Sequence, residues 1–384
     1  MLKLNTFLTP TLFKLGLISF LGDVASEMLY PITPLFLTSV LGASMTSVGI
    51  IEGTAEGVAS ILKTYSGFLS DRWGKRKPFI LVGYFLAAIS KPLIGISESW
   101  LHVFIARGID RTGKGLRTSP RDALIDDSVA PNFRGAAFGF HRFMDTLGAV
   151  LGPLIALIYL FYYRDDLRSA YFYAFIPGIF AFFIVFAVQD KKQEISAKPF
   201  QTKWNFSLFK PGFKRYLLAW GLFSVANSSD VFLLMRAKQI GFTLVEVILL
   251  YCFYNLTYSL SSPFFGALSD SIDRKKIMIA GLGMFILVYA GFIFASAHWM
   301  FWLFFAIYGL YMGATEGVGK ALVMDYVDSD LKASAQGIFG TLTGVATILA
   351  SIFAGLLWDH LGPGWAFGFA ILGAISSLFI LIKG

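Results

Sequence analysis

The 384-residue chain is dominated by apolar residues: 56% are hydrophobic, 15% are charged, and the mean hydropathy is +0.67. The hydrophobic fraction and the mean hydropathy exceed those of water-soluble globular domains, and the charged fraction is lower. The composition therefore predicts a chain that lies in a lipid bilayer. The net charge of +8 could indicate nucleic-acid binding, but the basic residues are concentrated in short loops and form no basic domain, so we expect no nucleic-acid partner. Cys252 is the single cysteine, which excludes an intrachain disulfide and a cysteine-based metal site.

Apolar segments of about 20 residues are long enough to cross a bilayer as helices. The sequence contains twelve segments of this kind, at residues 12–37, 47–70, 78–97, 101–121, 136–161, 168–188, 213–235, 245–269, 277–296, 299–324, 333–357 and 364–382. The first is too long for a signal-peptide core, so we interpret it as a span. The sequence therefore predicts an all-α membrane protein with twelve transmembrane helices. Its predicted parts are an N-terminal six-helix bundle (1–190), a basic cytoplasmic linker (191–212) and a C-terminal six-helix bundle (213–384).

The distribution of basic residues predicts the orientation. With the N-terminus in the cytoplasm, the basic residues of 72–77, of the linker and of 274–276 all fall on the cytoplasmic side. The first loop on the opposite side, residues 42–46, carries no charge. We therefore expect a multi-pass protein of the cytoplasmic (inner) membrane with both termini in the cytoplasm.

An internal repeat relates the two predicted bundles. Four residues of the first bundle, Gly67, Leu69, Ser70 and Asp71, recur 199 positions later as Gly266, Leu268, Ser269 and Asp270. Four more, Ala123, Asp127, Arg134 and Gly139, are matched 198 positions later by Ala321, Asp325, Lys332 and Gly337. Parallel repeats of this kind are typical of transporters whose binding site lies between two halves.

The segment from Gly67 to Lys77, which reads GFLSDRWGKRK, resembles the signature between helices 2 and 3 of the major facilitator superfamily. The resemblance extends over essentially the whole chain and implies that family's fold and alternating-access transport. It also implies a conformational latch, for which the candidates are Gly67, Asp71, Arg72, Gly74, Arg76 and Asp270. The second copy differs, because Ser271 and Asp273 stand where the first copy has Arg72 and Gly74. For the lysines of this segment, the alternative interpretation is a role in topology alone.

Two further motifs resemble those of proton-linked members. Arg107, followed by Asp110 and Gly113, is similar to the helix 4 motif of proton-coupled transporters. Gly148, Gly152 and Pro153 resemble the helix 5 motif of antiporters, and thus the drug:proton antiporter-like branch. A role of these small residues in helix packing is an equally good interpretation.

Ionisable residues in the predicted spans are the candidate site. Each costs about 2.5 to 3.5 kcal/mol near the bilayer centre, so a cluster of them requires a water-filled cavity or partners. The proton-coupling candidates are Asp23, Glu27, Glu52, Glu56, Asp110 and Asp145. The substrate-binding candidates are Arg107, Arg111, Lys114, Tyr30, His141, Asn227, Asp230, Tyr254, Asn255 and Glu316. Interhelical ion pairs that only fix packing are the alternative for any one of them.

These patterns favour a proton-coupled secondary transporter that exports a small organic compound. A transporter of a polar anionic metabolite, such as a polycarboxylate or a siderophore, is the alternative, because the fourth helix carries a row of bases. A membrane-integral enzyme or sensor is more remote. Gly108, Gly113 and Lys114 have the spacing of a phosphate-binding loop, but Gly115 stands where a serine or threonine should bind magnesium, so we expect no nucleotide. We expect no cofactor and no metal; the expected partners are a small-molecule substrate, protons and the lipid bilayer, and the expected state is a monomer.

Overall fold

The computed structural model describes residues 8–130, 134–163, 166–190, 209–327 and 332–383. All regular structure within these ranges is helical, as the sequence predicts. In the first half the helices are α1 (Pro10–Glu27), α2 (Ile32–Leu35), α3 (Met45–Trp73), α4 (Lys77–Gly95), α5 (Trp100–Asp127), α6 (Arg134–Tyr162) and α7 (Leu167–Phe186). In the second half they are α8 (Pro211–Ala226), α9 (Val231–Gln239), α10 (Leu244–Ser271), α11 (Arg274–Phe294), α12 (His298–Asp325), α13 (Lys332–Leu361) and α14 (Pro363–Lys383). A π-helical turn, Phe36–Val40, follows α2.

Eight of the described helical segments are long and apolar enough to cross a membrane. They are Lys77–Gly95, Phe140–Tyr162, Leu167–Phe186, Pro211–Gln239, Leu244–Ser269, Arg274–Phe294, Gly337–Leu361 and Pro363–Lys383. The remaining four predicted spans coincide with α1 and α2 together, α3, α5 and α12. All four of these regions carry candidate site residues, so polar groups reduce their apolar character.

Two of the predicted helices are not continuous. The prediction of single helices over 12–37 and 213–235 was wrong, because the first breaks between Glu27 and Ile32 and the second between Ala226 and Val231. At the first break Pro31 lacks the N–H that a continuous helix needs. At the second, Asn227 leaves the helical conformation with ψ of 91°. The two breaks lie 199 residues apart, the offset of the sequence repeat.

The chain folds into two compact units. One contains the described residues of 1–41 and 58–200, and the other contains those of 42–57 and 201–384. The helix α3 therefore contributes its N-terminal part, through Gly57, to the second unit. Residues 191–208 of the predicted linker lie outside the described residues.

Close helix packing in the first unit is repeated in the second. A Cβ atom placed on Gly83 of α4 would lie 2.6 Å from the carbonyl oxygen of Gly113 on α5, so glycine permits this approach. It would also lie 2.6 Å from the Cβ atom of Arg117. The equivalent pair 198 positions later, Gly281 and Thr315, is in contact in the same way between α11 and α12.

An ion pair is repeated as well. Arg76 Nε lies 3.0 Å from Asp127 Oδ2 in the first unit. Arg274 Nη1 lies 2.6 Å from Asp325 Oδ1 in the second unit. Both residues of this pair are offset by 198 from those of the first pair. This glycine contact and this ion pair are therefore common to both units.

Candidate functional site

A buried charge cluster joins α4 to α5. Asp110 Oδ1 accepts hydrogen bonds from Lys91 Nζ at 2.6 Å and from Ser90 Oγ at 3.3 Å. Its other oxygen lies 3.5 Å from Arg107 Nη1 and 3.6 Å from Arg111 Nε. All five side chains are buried. The candidates Arg107, Asp110 and Arg111 are therefore brought together, and each is engaged in an ion pair.

Lys91 is the charged member of this cluster that was not among the sequence candidates. It is the one charged residue within the apolar stretch of α4 that follows Lys77. A lone lysine in a span needs an acidic partner. That need was the signal that could have linked it to an acid on a neighbouring helix.

A second polar network joins four helices of the same unit. Ser19 Oγ on α1 lies 2.8 Å from His141 Nε2 on α6 and 3.3 Å from the Tyr84 hydroxyl on α4. Arg121 Nη1 on α5 donates to the same Ser19 Oγ at 2.8 Å. His141 Nδ1 lies 3.5 Å from Asp145 Oδ2. We call these five residues the His141 network.

Two arginines of α5, Arg121 of the network and Arg117 beside it, make further contacts. Arg121 also binds the carboxylate of Asp122, through Nη2 at 3.0 Å and Nε at 3.2 Å. The guanidinium carbon of Arg117 lies 4.0 Å from the centre of the Tyr84 ring, which is a cation–π contact. Sequence reasoning singled out His141 and Asp145 but missed Ser19 and Tyr84, because single polar residues in apolar helices carry no pattern.

The acids of α1 lie in the same unit. Asp23 is within electrostatic reach of Glu27, and also of Lys114, Arg117 and Arg121 on α5. The glycines of α6 pack directly on this part of α1, since a Cβ atom on Gly148 would lie 2.9 Å from the Cβ atom of Asp23. Gly152 is packed in the same way, 2.8 Å from the backbone nitrogen of Met28. Lys114 is exposed, and Tyr30 lies in the turn between α1 and α2.

Candidates of the second unit surround Asp230, which lies just before α9. Its carboxylate accepts hydrogen bonds from the hydroxyls of Tyr254 on α10 at 2.7 Å and Tyr308 on α12 at 2.5 Å. Glu56 of α3 and Glu316 of α12 lie within electrostatic reach of Asp230. The contact of Tyr308 with Asp230 depends on the packing of α12 against the adjoining helices, which the sequence pattern does not encode.

The other candidates of this unit differ in their surroundings. Glu52 is buried, whereas Glu316 is exposed and contacts Tyr258 and, at 3.2 Å, Lys320 Nζ. Asn255 donates its side-chain amide to the Tyr251 carbonyl at 2.9 Å, one turn earlier in its own helix.

The proposed latch segment contains the C-terminal end of α3. Gly74 has φ of 61°, a left-handed conformation that favours glycine and ends the helix. The backbone nitrogens of Arg76 and Lys77 donate to Asp190 Oδ2 at 2.9 and 2.8 Å, so this turn is fixed within its own unit.

The remaining latch candidates are only partly characterised. A Cβ atom on Gly67 would lie 3.0 Å from Ser119, and Arg72 is exposed. The side chains of Asp71 and Asp270 lie outside the described residues, and the latch stays a prediction.

These helices define a multi-pass membrane protein whose spans contain paired charges. The family model described as Major Facilitator Superfamily matches residues 15–253 and 216–383. An uncharacterised MFS-type transporter of Methanocaldococcus jannaschii is 34% identical to the chain, over 97% of this chain and 95% of the relative. The arabinose-proton symporter of Bacillus subtilis is 23% identical, over 95% and 86% of the two chains. The crystal structure of the nucleoside transporter NupG shares the fold with a TM-score of 0.79 at 15% identity, covering 98% of each chain.

The chain belongs to the major facilitator superfamily. It is a membrane transporter, not an enzyme, and it acts on small molecules in a lipid bilayer. The expectation drawn from the signature at Gly67 to Lys77 is thereby confirmed at the level of the family.

The Asp110 cluster generates a stability prediction. Replacing Asp110 with alanine should lower the free energy of unfolding by about 3 to 5 kcal/mol, because Lys91, Arg107 and Arg111 lose the carboxylate that balances them. Thermal unfolding of the detergent-purified protein measures this effect. The matched control is Glu98→Ala, which removes an exposed acid. Equal melting temperatures for the two variants would show that the cluster does not stabilise the fold.

Proposed function

We propose that the protein is a proton-coupled secondary transporter that exports a small organic compound by alternating access. The observation that carries this proposal is the His141 network. It places a carboxylate next to an imidazole inside the helices of the first unit. Asp145 Oδ1 is buried and forms no hydrogen bond within the described part of the chain, so this oxygen is available to take up a proton.

The carboxylate of Asp23 influences the charge of Asp145. Asp23 and Asp145 are within electrostatic reach of each other, and Arg121 is within reach of both. Two ionised carboxylates repel, and uptake of one proton relieves the repulsion while Arg121 balances the charge that remains. The pair with its arginine is therefore able to exchange one proton between two stable charge states.

The contact between α6 and α1 supports a link from protonation to helix movement. Gly148 packs against Asp23, and Gly152 packs against the end of α1 beside Glu27. A shift of α6 along this glycine contact with α1 changes the surroundings of both Asp23 and Glu27. This arrangement fits an antiporter of the drug:proton type, and helix packing alone explains the same glycines.

We also propose the finer features of the transporter. It has twelve spans in two six-helix bundles joined by the basic linker, lies in the cytoplasmic membrane with both termini in the cytoplasm, and works as a monomer. Proton coupling is further supported by the similarity to an arabinose-proton symporter. The proposed substrate contacts are Tyr30, Lys114, Tyr254 and Glu316, and the proposed latch is the segment from Gly67 to Arg76 with Asp270.

Proton coupling is tested by neutralising single acids. Asp145→Asn, Glu27→Gln and Glu56→Gln should each abolish substrate flux driven by a pH gradient in proteoliposomes, because the amide cannot exchange a proton. Exchange of labelled for unlabelled substrate without a gradient should persist in each variant. Glu98→Gln is the matched control, since this exposed acid lies outside the proposed network. Full pH-driven flux in all three variants would contradict the coupling role.

The second candidate function is transport of a polar anion, and the bases of α5 favour it. Arg107 and Arg111 are engaged with Asp110, whereas Lys114 is exposed and does not belong to that cluster. An exposed lysine can attract an anion, but unlike arginine it does not bind a carboxylate in a bidentate geometry.

The two functions are distinguished by the substrate that responds to a pH gradient. In the same proteoliposomes we expect flux of a hydrophobic organic cation and none of a tricarboxylate. Flux of the tricarboxylate that is lost in Lys114→Gln, with no flux of the cation, would establish the second function instead.

A further inference from the structure

The break between α8 and α9 leaves backbone carbonyl groups without partners. Asn227 donates its backbone N–H to the Phe223 carbonyl as the last bond of α8. No backbone N–H within the described residues reaches the three following carbonyl oxygens, those of residues 224–226. The backbone N–H of Ser229 donates instead to the Ser351 hydroxyl at 3.2 Å. The C-terminal end of α8 therefore presents a ring of carbonyl oxygens, the negative end of the helix dipole.

Asp230 lies at the same break and has no basic counterpart. Its described hydrogen-bond partners are the hydroxyls of Tyr254 and Tyr308. No lysine, arginine or histidine of the described chain forms an ion pair with it, and Glu56 and Glu316, which lie within its electrostatic reach, are acidic. A carboxylate inside a membrane protein is costly unless a positive charge or a proton neutralises it.

Two more buried oxygen atoms lie at or near this break. The Tyr289 hydroxyl, whose residue is 1% exposed, makes no hydrogen bond within the described residues. It is within electrostatic reach of Asp230 and neighbours Ser228 and Tyr308. Asn227 Oδ1 is also buried without a hydrogen bond in the described chain, beside Tyr311. Buried oxygens without partners call for a bound species that supplies positive charge to several of them at once.

We propose that this break holds one Na⁺ ion. Asp230 supplies the charge, and Asn227 Oδ1, the Tyr289 hydroxyl and the carbonyls at the end of α8 supply neutral oxygens. A proton on Asp230 would neutralise the carboxylate but leave Asn227 Oδ1 without a donor, whereas a cation coordinates several oxygens together.

The ligand set also selects the charge of the ion. One carboxylate with neutral oxygens matches a monovalent ion, since divalent ions are held by more carboxylates or keep several waters. Na⁺ and K⁺ both match this charge, and the comparison of salts in the test below distinguishes them. The site belongs to a different unit from the His141 network and does not depend on proton coupling by that network.

Binding is tested by thermal unfolding of the purified full-length protein at constant ionic strength in NaCl, KCl or choline chloride. A ligand that binds the folded state raises the melting temperature. We expect a rise that is specific to Na⁺ and saturates with its concentration. Asp230→Asn and Asn227→Ala should each abolish this rise, whereas Glu98→Gln should retain it.

Tyr289→Phe keeps the test valid where a variant at Asp230 fails to fold, because it removes one hydroxyl and retains the ring. It should raise the Na⁺ concentration for half-maximal stabilisation about tenfold or more. Equilibrium binding of radioactive ²²Na⁺ provides the direct readout. Equal shifts in all three salts, stabilisation by low pH alone, or an unchanged Na⁺ response in Tyr289→Phe would each overturn the proposal.

Discussion

The absence of hydrogen-bonding partners in lipid is the constraint on which this structure depends. Every ionisable group within a span must be balanced by another part of the chain, by water or by a transported species. Asp110 satisfies the constraint with Lys91 and two arginines, and Arg121 satisfies it with Asp122 and Ser19. Two carboxylates stand out against this background. Asp145 has one buried oxygen without a hydrogen bond in the described chain, and among the described residues the hydrogen-bond partners of Asp230 are two tyrosine hydroxyls.

Ionisable groups that are balanced by other parts of the chain stabilise the fold, whereas ionisable groups that are not balanced in this way are suited to exchange ions. A paired acid such as Asp110 would lose three bases as partners if it were protonated, so we expect its charge to stabilise the helix packing. The proposed proton at Asp145 and the proposed ion at Asp230 would each complete the local charge and could leave again.

The repeated architecture shows how one scaffold carries two kinds of chemistry. Helix contacts are preserved at an offset of 198 or 199 residues, as in Gly83 with Arg117 and Gly281 with Thr315. The polar groups placed on that scaffold have diverged. Position 110 is the aspartate of the charge cluster, and its counterpart 198 residues later is Tyr308, which donates to Asp230. The first unit therefore concentrates charge, and the second concentrates tyrosine hydroxyls around one acid.

Local sequence predicted the helices well, because apolar length and loop charge are local quantities. It did not predict the breaks at 28–31 and 227–230, although Pro31 and the polar run at 227–230 were local signals, because each lies within a longer segment that is apolar enough to be taken as one helix. It identified His141 and Asp145 by their spacing of one helical turn. Their connection through Ser19 to Arg121 depends on the packing of α1, α5 and α6, and no sequence period encodes that packing.

The central claim, that the protein works by alternating access, is tested most directly by the accessibility of a single cysteine. Cys252 is the chain's one cysteine, so Cys252→Ala provides a background in which Tyr30→Cys can be labelled alone. We expect a membrane-impermeant maleimide to reach Tyr30→Cys from one side of sealed proteoliposomes at a time. The reactive side should change when the pH gradient is reversed. Labelling from both sides at once, or from the same side under both gradients, would contradict alternating access.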